Sequence, residues 1–191
     1  VYKRQDKYFV QTPQPDYIKI KEITEAMTGA LLDRPYIENI SDYIDQLEKV
    51  TVGKSAPYFS LPNEKGEKLS RSAERFRNKY LLLNFWASWC GPCRAENPNV
   101  KKIYERYKSK GLEVIGVSLD IKVDAWCKAI EADGLPWLHM SDLKGWNSIV
   151  TDVYQIHGIP MLFVLDENNR IVGEGLRGEE LEKCVQKVLA Q

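Results

Sequence analysis

Cysteine and histidine are scarce in this chain of 191 residues. The four cysteines are Cys90, Cys93, Cys127 and Cys184. Four are too few for a small scaffold held together by disulfides. The two histidines, His139 and His157, form no paired motif with them. Because a structural zinc site needs four ligands, usually in close pairs, the sequence predicts no metal site.

An excess of charge of either sign is also missing. Lysine and arginine together number 27, as do aspartate and glutamate, so the net charge is zero. This balance argues against a nucleic-acid partner and against an acidic disordered tail. No apolar run approaches the roughly 20 residues of a membrane-spanning helix. The chain begins at Val1 without a charged and apolar leader, so we expect no signal peptide or membrane segment within it. Anchoring by an upstream segment stays open.

Apolar runs of strand length alternate with helical patterns from residue 58 onward. The predicted strands are two short ones within 58–70, then 80–87, 112–119, 161–166 and 170–175. The predicted helices are 92–110, 123–133, 146–156 and 179–189. The run YLLLNFWA, 80–87, is typical of a strand buried on both faces. Strands that alternate with helices, followed by an antiparallel hairpin, predict an α/β fold.

The first 50 residues differ from the rest, with one glycine and neither cysteine nor tryptophan. Residues 35–50 carry one apolar stripe at helical spacing, and residues 16–32 carry a weaker one. We therefore interpret residues 1–50 as a helical N-terminal extension, the remnant of an upstream domain. Residues 51–191 form the predicted main domain. A dimer contact through the extension stays open.

Two of the cysteines stand in a C-x-x-C pair at the junction of a predicted strand and helix. Pro92 suits the first helical turn, so Cys90 falls at the helix N-terminus. Unpaired backbone N–H groups there stabilise a thiolate, which favours attack and departure in disulfide exchange. Cys93, one turn further, is placed to resolve a mixed disulfide. A purely structural disulfide over so short a loop would restrict the unfolded chain little. Beside a βαβ pattern, the pair predicts thioredoxin-like redox chemistry.

The segment FWASWCGPC, 85–93, resembles the active-site segment of thioredoxin-fold proteins. Five further segments resemble the TlpA/ResA-like extracytoplasmic branch, especially its Bacteroidetes-type members. They are VGKSAPYFSLPNEKGEKLS (52–70), RAENP (94–98), VIGVSLD (114–120), WLHMSDLKGWNS (137–148) and GIPMLFVLDENNRIV (158–172). The resemblance covers residues 51–191. It implies a thioredoxin-like central mixed β-sheet flanked by helices.

The same resemblance implies which residues contact a substrate. Pro160 matches the cis-proline of the family, which faces the cysteines. That proline leaves the backbone of Ile159 free to pair with a substrate chain. Trp89 packs beside the first cysteine and belongs to the recognition surface, together with Gly91 and Pro92. These five residues are therefore the predicted substrate-binding residues.

One position departs from thioredoxins themselves, which carry a buried aspartate where this chain has Asn84. An asparagine does not titrate, so it cannot take the proton of Cys93. The TlpA/ResA-like branch commonly lacks that aspartate. Glu96 lies one helical turn after Cys93 and matches an acid that modulates the pKa values of the cysteines. Glu96 is therefore predicted as a third catalytic residue beside the two cysteines.

The function predicted is a thiol–disulfide oxidoreductase in which Cys90 forms a mixed disulfide with a partner protein and Cys93 resolves it. The resemblance implies protein thiols or disulfides and an upstream redox donor as partners. It also implies an extracytoplasmic location, reduction as the favoured direction and a role like those in cytochrome c maturation. No bound cofactor and no metal are expected, because the two sulfurs hold the electrons.

Two alternatives stay open. Peroxiredoxins share an opening like APYFSLPNEKGEKLS, but they carry a threonine three residues before the reactive cysteine, where this chain has Ala87. A non-catalytic binding or chaperone-like module would use the helical extension to hold its partner. The intact cysteine pair argues against it. Cys127 and Cys184 lie in helical patterns and are expected to be buried as small apolar residues.

Overall fold

The computed structural model describes residues 17–26, 35–70 and 76–190, which form six helices and seven strands. Two helices come first, α1 (Tyr17–Ala26) and α2 (Pro35–Glu48). The strands are β1 (Ser60–Pro62), β2 (Lys68–Ser70), β3 (Tyr80–Trp86), β4 (Leu112–Ser118), β5 (Leu138–Met140), β6 (Met161–Leu165) and β7 (Ile171–Glu174). The remaining helices are α3 (Gly91–Tyr107), α4 (Val123–Asp133), α5 (Ile149–Val153) and α6 (Gly178–Val188).

The main sheet has the strand order β5-β4-β3-β6-β7. Strands β3, β4 and β5 are parallel, whereas β6 is antiparallel to β3 and to β7. The central strand β3 pairs with β4 from Tyr80 opposite Leu112 to Trp86 opposite Ser118. Every residue of β3 after Tyr80 is buried, as its continuous apolar run predicts. The predicted α/β fold with a central mixed sheet flanked by helices is confirmed.

Some boundaries differ from the predicted ones. Strand β5 was not predicted, because three residues at a sheet edge show no alternation. The helix predicted at 146–156 is instead a 3₁₀ turn, Gly145–Asn147, followed by the short α5. The extended backbone of Ser148, with ψ 141°, separates the two. Residues 27–32 of the predicted first helix lie outside the described residues.

The two N-terminal helices share a small apolar cluster of their own. It contains Ile20, Ile44 and Leu47, with Tyr43 packed against it. Tyr43 also reaches the main domain, where its hydroxyl lies 3.4 Å from Nε2 of His157 and the two rings meet edge to face. Burial raises the pKa of Tyr43 to about 12, so the hydroxyl stays protonated at neutral pH. The division into an extension and a main domain stays a prediction.

A buried histidine lies at the edge of the sheet. His139 of β5 is 2 % exposed, and its ring centroid lies 5.7 Å from that of Trp86 and 6.0 Å from that of Trp137. Its neighbour in β4 is Gly116, where an added Cβ would stand 2.4 Å from Nδ1 of His139. Only glycine leaves room for this imidazole. Burial lowers the pKa of His139 to about 3, so the ring is neutral at physiological pH.

This histidine makes stability depend on pH. Its pKa is lower in the folded chain than the ordinary 6.5, so the unfolded chain binds the proton more readily. The contribution of neutral His139 to the free energy of unfolding is complete above pH 6.5 and is lost as the pH falls below that value. Between pH 7.5 and pH 5 we expect a loss of about 2 kcal/mol in the free energy of unfolding. Urea titrations of the parent and His139→Leu should show that extra loss only in the parent. An equal loss of stability with falling pH in the parent and in His139→Leu would contradict this prediction.

Candidate functional site

The cysteine pair lies where β3 ends and α3 begins. Cys90 is the N-cap of α3 and has extended backbone angles. The backbone N–H of Cys93 donates to Sγ of Cys90 at 3.2 Å. Pro92 occupies the first turn, where its missing N–H leaves no broken hydrogen bond. The helix N-terminus therefore presents a hydrogen-bond donor to the first sulfur, as the C-x-x-C pattern predicts.

The two sulfurs form a disulfide with an S–S distance of 1.97 Å. Cys90 is 5 % exposed and Cys93 only 1 %. The sulfur of Cys90, the more exposed of the two residues, lies 3.8 Å from the carbonyl oxygen of Ile159. Gly91 and Pro92, which stand between the two cysteines in the sequence, are exposed. A partner sulfur would therefore meet Cys90 first.

The peptide bond between Ile159 and Pro160 is cis, as the resemblance implies. The carbonyl oxygen of Pro160 accepts a hydrogen bond from Nη2 of Arg177 at 2.7 Å. Arg177 comes from the turn between β7 and α6, and sequence reasoning missed it. Its position directly before a helical pattern marks a helix start but says nothing of this contact. Arg177 thus fixes the backbone of the cis-proline segment, whose Ile159 carbonyl faces Cys90.

Glu96 is half-buried in α3, one turn after Cys93. Among the described residues, both hydrogen-bond donors to its carboxylate reach Oε1, the backbone N–H of Gly178 at 3.0 Å and Nδ2 of Asn99 at 2.7 Å. Gly178 is the first residue of α6, so the negative charge stands at a helix N-terminus. The carboxylate therefore joins α3 to α6. The predicted effect of Glu96 on the cysteines stays a prediction.

A buried polar chain continues behind the cysteines. Asn84 is 2 % exposed and its Nδ2 donates to Oδ1 of Asn97 at 3.4 Å. Asn97 in turn donates to Oδ2 of Asp133 at 2.9 Å. The guanidinium of Arg94 holds that carboxylate from the other side and lowers the pKa of Asp133. The buried end of the chain is thus uncharged, and its ion pair lies toward the surface. Sequence reasoning found only Asn84.

A buried carboxylate fixes the loop that carries the site. Asp120 is 1 % exposed, and its oxygens accept hydrogen bonds from the backbone N–H of Ser88 at 2.9 Å and its hydroxyl at 2.5 Å. The hydroxyl of Ser118 donates to the same carboxylate at 2.7 Å. Ser88 lies two residues before Cys90, so Asp120 sets the path of the chain into the helix. The motif VIGVSLD contains Asp120, but sequence reasoning gave it no role.

The other two cysteines differ from the pair. Cys127 and Cys184 are free thiols, half-buried rather than fully buried, and both pack against the core. Burial raises the pKa of each thiol, which lowers its thiolate fraction. Within the described ranges, no three His, Cys, Asp or Glu side chains cluster as metal ligands. No helix in those ranges is both long and apolar enough to cross a bilayer.

These features define a class of protein first. A mixed sheet carries a C-x-x-C disulfide at a helix N-terminus, and a cis-proline peptide faces that disulfide. This combination is typical of thioredoxin-fold thiol–disulfide oxidoreductases. The AhpC/TSA family model matches residues 52–173, and the chain belongs to this family.

Similar proteins agree with that class. The thiol-disulfide oxidoreductase ResA of Bacillus cereus is 31 % identical over 147 residues, covering 77 % of this chain and 82 % of the relative. A solved C-terminal domain, named for a thiol-disulfide oxidoreductase from Bacteroides thetaiotaomicron, is 41 % identical with a TM-score of 0.70. It covers 74 % of this chain and 98 % of that one. A thiol-disulfide oxidoreductase from Bacteroides fragilis is 48 % identical with a TM-score of 0.67, covering 70 % and 98 %. The predicted TlpA/ResA-like assignment and oxidoreductase class are confirmed.

Removing the carboxylate of Asp120 should destabilise the active-site loop around Ser88. In Asp120→Ala, three donors lose their acceptor, two of them on Ser88. We expect the free energy of unfolding to fall by about 3 kcal/mol. Urea denaturation measures the loss, and amide hydrogen exchange at Ser88 should accelerate. The control Asp124→Ala removes an exposed carboxylate of α4 and should cost about 0.5 kcal/mol. Equal losses in both variants would contradict the role of Asp120.

Proposed function

We propose that the chain reduces disulfides of partner proteins through the dithiol form of Cys90 and Cys93. The observation that carries this proposal is the placement of Cys90, whose sulfur accepts the N–H of Cys93 and lies 3.8 Å from the Ile159 carbonyl. The first contact stabilises negative charge on the sulfur. The second puts a backbone segment with a cis-proline within reach of a bound chain.

The reaction is two consecutive exchanges. The thiolate of Cys90 attacks a partner disulfide, whose S–S bond breaks, and the departing partner sulfur takes up a proton. A mixed disulfide now joins Cys90 to the partner. Cys93 then loses its proton and attacks Cys90, which releases the second partner thiol and forms the Cys90–Cys93 disulfide. Two electrons have passed to the partner, so an upstream dithiol donor must reduce the pair before the next cycle.

The partner, direction and location belong to the same proposal. The exposed Trp89, Gly91 and Pro92 surround the disulfide, and the backbone of Ile159 lies opposite, which suits an extended protein chain. Reduction as the direction, an extracytoplasmic location and a role like those in cytochrome c maturation rest on the resemblance to the TlpA/ResA-like branch. The electrons reside on the two sulfurs, without a further cofactor.

Disulfide exchange with a model protein disulfide tests the proposal directly. Cys90→Ser should abolish the reaction, because the attacking sulfur is gone. Cys93→Ser should accumulate the mixed disulfide, visible as a covalent adduct that dithiothreitol removes. The control Cys127→Ser with Cys184→Ser should keep full activity, since both thiols are half-buried and protonated.

A redox titration with thiol alkylation fixes the direction. We expect a two-electron midpoint near or below about −270 mV, the potential typical of a reductant. A midpoint near about −120 mV would instead indicate a disulfide donor. If Cys90 and Cys93 showed no transition, only the non-catalytic binding module would remain. Rapid consumption of hydrogen peroxide would favour the thiol peroxidase.

We further propose that Glu96 takes the proton of Cys93 during the second exchange. Two features support this role: Glu96 lies one turn from Cys93, and Asn84, which cannot titrate, occupies the position behind the pair. Glu96→Gln keeps the oxygen that accepts the hydrogen bonds of Gly178 and Asn99 but removes the basic group. We expect resolution of the mixed disulfide at pH 7 to slow by about tenfold or more.

The pH profile separates this role from a structural one. With Glu96→Gln the resolution rate should rise with pH until it approaches that of the parent, because hydroxide then removes the proton. If Glu96→Gln left the resolution rate and its pH profile unchanged, the role of Glu96 would be limited to accepting the hydrogen bond at the start of α6.

A further inference from the structure

Two of the five tryptophans are exposed, and these two lie together. Trp86, Trp126 and Trp137 are at most 7 % exposed, as expected for large apolar side chains. Trp89 is 55 % exposed and Trp146 is 47 % exposed. Their ring centroids are 6.4 Å apart with planes inclined by 52°. A pair of open indole rings on a folded domain is typical of a binding surface.

The backbone beneath Trp146 is fixed. The residue lies in the 3₁₀ turn Gly145–Asn147, and its carbonyl oxygen accepts the hydroxyl of Thr151 at 3.0 Å. Gly145 is buried with φ +59°, a conformation that favours glycine. An added Cβ there would stand 3.0 Å from the side chain of Ile121, which is itself 65 % exposed. The backbone that carries Trp146 is therefore held in a defined turn, and the exposed Ile121 is a further apolar side chain beside that turn.

The geometry of a mixed disulfide limits how far a partner segment can lie from this surface. In a mixed disulfide, the Cα atom of the partner cysteine comes within roughly 4.4–6.8 Å of Cα of Cys90. The residues beside the partner cysteine are then held close to Cys90 and thus near Trp89, the exposed residue before it. The ring of Trp146 lies 6.4 Å from that of Trp89. A partner segment that runs along Trp89 can therefore contact both rings.

We propose that Trp146 determines substrate specificity by forming, with Trp89, an apolar platform for a large aliphatic or aromatic side chain next to the partner's reactive cysteine. The occupant is the cysteine-bearing segment of the partner protein. This inference rests on the proposed disulfide exchange. Tryptophan is among the residues that supply most of the binding energy at protein interfaces, which is why we assign the selectivity to Trp146.

The test uses two peptides, each with one intramolecular disulfide and identical except beside the attacked cysteine. One has Phe and Leu at the flanking positions and the other has two Ser. The variants are Trp146→Ala, the conservative Trp146→Phe, and Ile18→Ala as a control that removes an exposed apolar side chain from α1. We measure kcat/KM for each peptide and the midpoint potential of the Cys90–Cys93 pair.

The parent should prefer the apolar peptide by about tenfold. Trp146→Ala should reduce this preference to about twofold, without a change in midpoint potential or in the rate with the Ser peptide. Trp146→Phe and Ile18→Ala should keep most of the preference. A parent without preference, or equal loss on both peptides in Trp146→Ala, would overturn the platform while the oxidoreductase stands. A parent that reduces neither peptide would overturn the proposed function itself.

Discussion

The antiparallel pairing of β3 with β6 is the interaction on which the geometry of the site depends. Phe85, near the end of β3, stands opposite Met161, the first residue of β6. Because the strands run in opposite directions, the chain leaving β3 and the chain entering β6 meet at the same edge of the sheet. That edge receives Cys90 from one strand and Ile159 from the other. A shift of this register would separate the sulfur from the backbone that faces it.

Charge is distributed around the site in a way that avoids a lone buried ion. The one carboxylate that fixes the loop, Asp120, accepts three hydrogen bonds, which offsets its removal from water. The amide of Asn84 donates to the amide of Asn97, and Asn97 donates in turn to Asp133. Asp133 forms an ion pair with Arg94. The buried polar chain from β3 into α3 therefore begins with two amides and carries its charge only at the end formed by Asp133 and Arg94.

Much of this arrangement could be predicted from the sequence, because it is encoded locally. The continuous apolar run of β3, the helical spacing of α3 and the C-x-x-C motif each lie within one stretch of chain. Contacts between distant stretches carry no such signal. Arg177 on Pro160 and Asp120 on Ser88 depend on packing of elements far apart in the chain, so neither was foreseen. The exposed pairing of Trp89 with Trp146 was missed for the same reason, although both segments had been singled out as family-like.

The junction before α6 makes hydrogen bonds to two separate segments near the disulfide, the cis-proline segment and α3. Arg177 donates to the carbonyl of Pro160 in the first segment, and the next residue, Gly178, donates its N–H to Glu96 of α3. Two adjacent residues, Arg177 and Gly178, thus hold the two segments at a fixed distance. Moving α3 away from the cis-proline segment requires breaking at least one of these hydrogen bonds. The last helix supplies none of the sulfur chemistry, yet its first residues tie the helix that carries Cys93 to the cis-proline segment that faces Cys90.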